Sequence, residues 1–559
     1  MKILFIFLVA IVGFIIFSIS GKISQERKSK RNIHEQWGKV PNKEYTANDF
    51  TSIGCYFENN KQKVKSFLID DITWNDLDMN RVFSKINNTQ TDIGEEYLFN
   101  IMRELVFDQE TLSNRDYLIE YFRSNSQERV KLQVLLSKLG KLGFLSISDY
   151  ISGKRKGLGK SGAYYKILAA VFFISPFIAA IFPGAIILFF ASMALNVSIY
   201  FKARNQIVGH LQSLGYIVNM ISTAKRIPKL RIKAIDTYVH TLEQCTKSVK
   251  GISLNAFFFM FYTSENYFLE IIKIFFLGET IAYHGIFKII EKHRQVLDTI
   301  YQTIGILDSL LSIASYRESI DYFTTPKLKV GNIADKHIYF TELNHPLIEK
   351  PVPNTLKISK VILVTGSNAS GKSTFLKSVA INAIFAQTIY TCLAREYSSC
   401  FFNIYSSMAL NDNLEAKESY YIVEIKSLKR IIEGLNAIVP CLCVIDEVLR
   451  GTNTIERIAA SSEIMHFIAK NNCICLCATH DIELTQILGN SVENYHFQEF
   501  FDEDKIRFDY KIYSGKSSTR NAIKLLKILG YDENIVNNAE QRAQLFTENG
   551  HWNEMTLLN

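Results

Sequence analysis

No proline occurs between residues 42 and 175 or between 229 and 325, so both spans are free to carry long helices without the ring clash and the missing N–H that would break them. The nine cysteines lack the spacing of a disulfide framework. Cys441 and Cys443, then Cys473, Cys475 and Cys477, alternate along two apolar runs with the period of a strand, and no CxxC turn with histidine partners offers a metal site. They read as buried free thiols of a reducing compartment. Internal repeats and low-complexity linkers are missing too. Neither sign of charge dominates: 63 basic side chains against 55 acidic ones leave a net charge of +8, which permits nucleic acid or an anionic membrane as partner and demands neither. With 48% hydrophobic and 21% charged residues the chain is no disordered polymer, and 559 residues exceed what one core organises, so two or three domains are expected.

Two stretches lack charge altogether. Ile3 to Ser20 approaches the roughly 20 residues needed to cross a bilayer core. Ile167 to Phe201 is longer and is broken at Phe182-Pro183-Gly184, which suits two helices with a tight turn, the first starting near Ala163 with Lys166 snorkelling to the interface. A cleaved signal peptide, ending at Ser18-Ile19-Ser20, is the alternative for the first stretch, and a buried core hairpin for the second. Basic residues flank both: Lys22, Arg27, Lys28, Lys30 and Arg31; Lys154, Arg155, Lys156 and Lys160; Lys202 and Arg204. By the positive-inside rule these flanks share the cytoplasmic face, which gives a multi-pass inner or plasma membrane protein of three spans with its amino terminus outside and everything after residue 202 inside. A further apolar stretch, Leu254 to Phe276, contains Glu265, Glu270 and Lys273 and reads as a buried helix.

Leucine and isoleucine recur at three- and four-residue spacing from Leu132 to Leu145 and from Ile286 to Leu311, the pattern of helices that bury one face. From Val361 onward short β-branched runs alternate with longer helical stretches, as in a parallel sheet with helices on both faces.

The strand Val361 to Thr365 runs directly into Gly366, Ser367, Asn368, Ala369, Ser370, Gly371, Lys372, Ser373 and Thr374, and a helix from Phe375 to Ala386 follows. This is a GxxxxGKS phosphate loop in its required setting. Glycines let the loop curl so that its N–H groups and the helix amino terminus face phosphate oxygens, Lys372 reaches the β- and γ-phosphates of ATP, and the Ser373 hydroxyl serves Mg²⁺. A second apolar strand, Cys441 to Ile445, ends in Asp446 and Glu447, one carboxylate for the Mg²⁺ shell and one to orient or deprotonate an attacking water. Taken alone such a strand end is common; following the glycine loop it gains weight. A third, Cys473 to Thr479, ends in His480, placed where ligands bind in open parallel sheets and therefore a candidate sensor of the γ-phosphate. No metal other than Mg²⁺ is expected.

These pieces, in this order, resemble the MutS ATPase: Thr365-Gly366-Ser367-Asn368 leading into Gly371-Lys372-Ser373-Thr374, then Asp446-Glu447-Val448-Leu449-Arg450-Gly451-Thr452-Asn453-Thr454, then Ala478-Thr479-His480-Asp481. Ser367 stands where that family usually has proline. His345-Pro346-Leu347 and Asn354 resemble its entry to the nucleotide domain, and Arg520-Asn521-Ala522-Ile523 through Gly530-Tyr531, with Ile535 to Arg542, resemble its terminal helical pair. The segment Asn413 to Glu424 is similar to one in which a serine, here Ser419, reaches the nucleotide of the opposite subunit, so the resemblance implies a homodimer. Asp76 to Arg115, with Asn88-Thr89-Gln90-Thr91-Asp92-Ile93-Gly94-Glu95 inside it, resembles the start of the family's helical core. Tyr56-Phe57-Glu58 has a superficial likeness to its mismatch-probing wedge, without a surrounding domain.

The expected organisation is a transmembrane helix over 1–21, a basic segment over 22–69, helical core over 70–160 and 202–325 interrupted by a transmembrane hairpin over 163–201, a P-loop ATPase with its helical pair over 326–545, and a tail over 546–559. The fold class is thus α/β plus an all-α core and membrane helices. The resemblance implies ATP hydrolysis driving motion on double-stranded DNA without sequence preference, at family level mismatch repair; the alternative is an ATP-driven machine or switch acting on a protein or lipid partner.

Overall fold

The computed structural model describes residues 20–21, 24–143, 146–155, 162–249, 267–330, 336–367, 370–408, 420–435, 438–450, 452–502, 505–516 and 522–552. The first apolar stretch, Ile3 to Ser20, lies outside these residues almost entirely, as does most of Leu254 to Phe276. Two compact units emerge, one from the chain up to Leu68 with Asn80–Asp321, the other from Ile69–Met79 with Tyr322–Asn559.

The first unit is helical. Among its helices are α1 (Asp92–Arg103), α2 (Gln109–Ser124), α3 (Gly162–Ile181), α4 (Ile186–Arg226) and α5 (Arg294–Ser319). α5 is buried over most of its length and packs along α1 and α2. Its polar residues do specific work. Asp308, fully buried, accepts from the N–H of Gln90 at 3.0 Å and from the N–H and hydroxyl of Thr91 at 2.9 and 2.6 Å. Thr91 in turn caps α1 by accepting from Gly94 N at 2.9 Å. Burial pushes the Asp308 carboxyl up to about 6 despite these donors. Ser312 and Ser315 receive the backbone and side chain of Asn88 at 2.7 and 2.8 Å. Arg317, also buried, pairs with Asp116 and Glu120 of α2 at 2.7 Å each. The Asn88 to Glu95 segment is therefore a joint that docks the start of α1 on α5. Tyr56 and Phe57 are both 5% exposed, and Tyr56 stacks on Tyr301 at 4.8 Å, so this aromatic pair is core packing and no surface probe.

α3 and α4 form an antiparallel hairpin through a short turn at Pro183–Ala185. Its large apolar side chains face outward, with Phe177 61% and Ile181 73% exposed. Only 17% of the most apolar stretch of each arm is buried, against 78% in α5, a helix of comparable length but lower mean hydropathy, 1.2 against 1.8 and 1.9. α4 does not stop at the end of the uncharged run. It continues as one 41-residue helix whose later part, with Leu214, Ile217, Met220 and Ile221, is buried in the unit's core.

The second unit holds two sheets. A four-stranded one, in the order β1 (Lys327–Lys329), β5 (Glu396–Cys400), β2 (Ile338–Leu343), β3 (Asn354–Ile358), is mostly antiparallel. The six-stranded one runs β10 (Lys505–Ser514), β9 (Glu493–Asp502), β4 (Ile362–Thr365), β8 (Cys473–Ala478), β7 (Cys441–Asp446), β6 (Asn403–Ser407), parallel except for β10. Every residue of β4, β7 and β8 is buried, which is why they read as continuous apolar runs. The five cysteines of β7 and β8 are free and buried. Helices α6 (Lys372–Thr388) and α7 (Thr454–Lys470) follow β4 and β7. The pair Ala522–Ile528 and Glu533–Asn549 closes the described chain.

One boundary differs from the expectation that 70–160 is all helical core: Ile69–Met79 belongs with the second unit. The helix Asp71–Asp76 is held to β6, since Asp76 accepts from the Ser406 hydroxyl at 2.6 Å and from Met408 N at 3.0 Å, and Asp70 pairs with Arg430. Trp74, 1% exposed, anchors it.

The close approach at Gly94 is testable. A Cβ there would lie 2.2 Å from Asp308 Oδ2, so Gly94→Ala should lower the stability of the helical unit by about 1–3 kcal/mol in a denaturant melt. A melt matching the wild type would mean that the α1–α5 joint yields freely.

Candidate functional site

The register of the six-stranded sheet decides what can meet. β8 lies between β4 and β7, with Val364 opposite Ala478 and Ala478 opposite Asp446. Beyond the ladder the strand ends remain tied, as Thr479 N donates to Val364 O at 3.0 Å and Glu447 N to Ala478 O at 2.9 Å. The glycine loop, the acidic pair and His480 therefore leave one edge of the sheet side by side.

Gly366 and Gly371 have φ of 141° and 102°, backbone that L side chains rarely adopt. Space forbids a side chain as well: a Cβ on Gly366 would sit 3.0 Å from Ser370 Oγ and 3.1 Å from Phe497 O, and one on Gly371 would sit 3.1 Å from the Tyr510 ring. Ser370 closes the loop by donating its hydroxyl to Ser367 O at 2.8 Å. Ser367 Oγ is buried and has no hydrogen-bond partner among the described residues. Lys372, the first residue of α6, turns its side chain back into the loop and donates to the carbonyls of Gly366 and Ser367 at 2.7 Å each. Burial brings its ammonium down to about 8, with Asp446 and Glu447 opposing the fall.

Glu447 follows β7 with φ 65°. A non-glycine residue in that region costs about 1 kcal/mol or more, which the surrounding bonds must hold. Its Oε1 lies 3.2 Å from His480 Nε2 and its Oε2 lies 2.5 Å from Arg450 Nε. Burial raises the Glu447 carboxyl, but His480 and Arg450 outweigh it and keep the group below the ordinary carboxylate range. His480 Nε2 is also 3.5 Å from Lys372 Nζ. Lysine, histidine, glutamate and arginine thus form one continuous chain of contacts.

Lys372, Glu447 and Arg450 open on a cavity of about 640 Å³, while His480 stays off its lining and touches it through Lys372 and Glu447. Lys372, Ser373, Thr374, Asp446, Glu447 and Arg450 line its polar end, and Ile348, Pro351, Val352, Phe497 and Tyr510 contribute apolar surface. The volume and the mix of a charged end with an apolar flank suit a nucleotide-sized anion. The two glycine cradles and the unpartnered Ser367 hydroxyl fit a phosphate group, while Ser373 and Asp446 are oxygen donors of the kind Mg²⁺ prefers. Asn368, Ala369 and Ser419 lie outside the described residues; the other residues expected at the site, Gly366, Ser367, Ser370, Gly371, Lys372, Ser373, Thr374, Asp446, Glu447 and His480, come together.

Several roles were not read from the sequence. Asn354, named above only as part of the entry to this domain, accepts from Ile512 N at 2.9 Å and donates to Tyr510 O at 3.1 Å, filling the register break in the β9–β10 ladder and holding Tyr510 against the glycine loop. Buried Glu424 accepts from Arg450 N at 3.2 Å and so props the turn after Glu447. The aromatic alternation of Glu493 to Ser514 around Asp502 was an available signal for the hairpin that carries Phe497 and Tyr510.

Residues 362–547 match the family description MutS domain V. The chain is 29% identical over 271 residues to the DNA mismatch repair protein MutS of Clostridium botulinum (strain Loch Maree / Type A3), a match covering 46% of this chain and 28% of that protein. It is 30% identical over 266 residues to MutS protein homolog 4 of Homo sapiens, covering 45% and 28% respectively. The chain thus spans under a third of the length of the curated relatives it matches.

The depressed Lys372 value has a measurable consequence. Because the folded value of about 8 lies below the ordinary 10.5, this lysine's drain on stability is fully present below pH 8 and fades as pH rises toward 10.5. Melting temperatures of wild type and Lys372→Met should therefore shift in favour of the wild type between pH 8 and about pH 10. A difference constant across that range would remove the burial argument.

Proposed function

Because the chain belongs to the MutS family over the segment that carries this cavity, we propose that it is a membrane-anchored ATPase that works as a homodimer and uses ATP binding and hydrolysis to change conformation. The observation that carries the reading is the adjacency of β4, β8 and β7, which brings the end of a glycine loop and an acidic pair to one cavity, with the His480 imidazole in contact with two of the groups that line it. In this reading the loop amides from Gly366 through Ser370 to Thr374 surround the phosphates, and Lys372 exchanges its two loop carbonyls for phosphate oxygens. Mg²⁺, held by Ser373 and Asp446, would offset the charge of the β- and γ-phosphates. Glu447 orients a water and takes its proton, and Arg450 must loosen its grip for that carboxylate to act as a base. His480 lies beside both Lys372 and Glu447 and is suited to report whether a γ-phosphate is bound. Ser419 of a second copy would complete the site.

The load we propose is double-stranded DNA, held through its phosphates without sequence preference, by likeness to the mismatch repair proteins matched over this segment. A second reading, a machine acting on a protein or lipid partner, is favoured by the exposed apolar hairpin of α3 and α4. The hairpin also supports the membrane placement, since 20 residues of α3 at 1.5 Å rise give about 30 Å, the thickness of a hydrocarbon core.

Glu447→Gln should retain ATP binding and lose about 10²- to 10⁴-fold in turnover, while Lys372→Ala should lose binding itself. Turnover of the full chain in lipid nanodiscs, with fluorescent-nucleotide binding alongside, separates the two; unchanged turnover in Glu447→Gln removes that residue from its role. Duplex DNA should alter turnover at low salt and lose its effect as salt rises. No DNA effect at any salt would leave the protein or lipid partner as the reading.

A further inference from the structure

Beside the hairpin stands a second apolar structure that the uncharged runs do not reveal. The helix Tyr267–Phe275 ends against α3, with Phe275 and Phe276 packed on Phe172 at ring separations of 5.5 and 5.3 Å. Phe172 lies ten residues along α3 from Gly162, about 15 Å at 1.5 Å per residue, and it also stacks on Phe189 of α4. The contact is therefore halfway up the hairpin, well inside its exposed apolar band. At Leu277 the backbone takes φ 52° and the chain reverses into the helix Gly278–Lys292. That helix descends alongside α3: Leu277 clusters with Tyr165 and Tyr200, and His284 stacks on Tyr165 at 5.3 Å beside Gly162. Ile271 is 54% exposed, as open as Phe173 and Phe177 on α3, and Phe276 meets Phe173 at 6.2 Å.

The charged groups of this limb are paired within it or with α4, while Thr280 Oγ1 is buried without a hydrogen-bond partner among the described residues. Asn196 of α4 is fully buried and donates to Phe275 O at 2.7 Å, satisfying a carbonyl at the helix end. Lys273 and Glu279, 3% and 6% exposed, pair at 3.8 Å across the reversal. Glu279 also receives the Tyr200 hydroxyl at 3.3 Å and has Arg204 at 3.9 Å. Charges at such a depth are tolerated in hydrocarbon only when paired and turned inward, as these are.

We propose that residues 271–284 form a re-entrant limb that enters the bilayer beside the α3–α4 hairpin, presents Ile271 to acyl chains, and turns back at Leu277 before reaching the far side. This replaces the expectation of a buried core helix for the part of Leu254 to Phe276 that is described. The inference rests on the membrane reading of the hairpin, and its test separates the two.

Cys55 and Cys245, the two cysteines that are not fully buried, would be replaced by serine in the full chain. Ile271→Cys and, separately, Phe173→Cys would then carry a nitroxide in phosphatidylcholine/phosphatidylglycerol vesicles. Collision with oxygen, which partitions into lipid, is compared with collision with a water-soluble nickel chelate. The expected result is strong oxygen and weak nickel access at both positions. Lipid access at 173 with nickel access at 271, or with neither reagent reaching 271, overturns the limb and leaves the hairpin in place. Nickel access at both positions overturns the membrane reading, and the limb with it.

Discussion

The candidate site depends on a single constraint, the placing of β8 between β4 and β7 in parallel register. Val364, Ala478 and Asp446 fall on one line across three fully buried strands, so whatever follows each of them must leave the sheet at the same edge. Without that register the glycine loop, Glu447 and His480 would be three unrelated turns in the sequence. Parallel strands lend themselves to this arrangement because each crossover returns the chain to the far end of the sheet, and successive carboxyl ends gather on one side. The apolar uniformity of β4, β7 and β8 is thus a functional requirement as well as a source of stability. A polar residue inside any of the three would have to find a partner in a sheet covered on both faces.

The site is held in a conformation that opposes its own stability. Lys372 sits buried with its ammonium lowered to about 8, and Glu447 is fixed at a positive φ. Both are maintained by short contacts, the lysine to two loop carbonyls and the glutamate to Arg450 and His480. Each of these contacts occupies a group that ATP chemistry would need. The described arrangement therefore keeps the reactive groups paired with one another, which fits a site in which substrate competes for partners already in place.

Much of this was legible in the residues, for physical reasons that differ from element to element. The glycine loop was readable because phosphate binding dictates residue type at fixed spacing, and β7 and β8 because doubly covered strands cannot carry polar residues. The end of α3 followed from the Phe182-Pro183-Gly184 break in the uncharged run, whose first residue, Ile167, lies five residues inside the helix. Harder to read were contributions made by backbone: the Asn354 clasp on the β9–β10 register break depends on unpaired groups of Tyr510 and Ile512 that no side-chain pattern reports. The assignment of Ile69–Met79 to the second unit was invisible for a related reason. Asp70, Thr73 and Asp76 look like ordinary helix-start and surface residues, and the partners that hold them come from distant chain, Ser406 of β6 for Thr73 and Asp76 and Arg430 of the helix Tyr420–Gly434 for Asp70. The depth reached by Phe275 and Phe276 was masked by Lys273, whose charge argued against lipid until Glu279 appeared opposite it.

The hairpin gains its significance from the continuity of α4. Had the apolar arm ended near Phe201 in a flexible linker, the hairpin would serve only as an anchor. Instead one helix carries Ile187, exposed in the apolar band, and Ile221, buried in the helical core, with no proline or glycine break that would let the two halves move independently. Gly209 lies within it, and the helix runs through that residue. Glu279 and Tyr200 bind the neighbouring helices to this rod at the level where the uncharged run gives way to Lys202 and Arg204. The apolar arms and the helical core thus share one continuous helix inside a single compact unit, in contrast to a domain tethered by a linker.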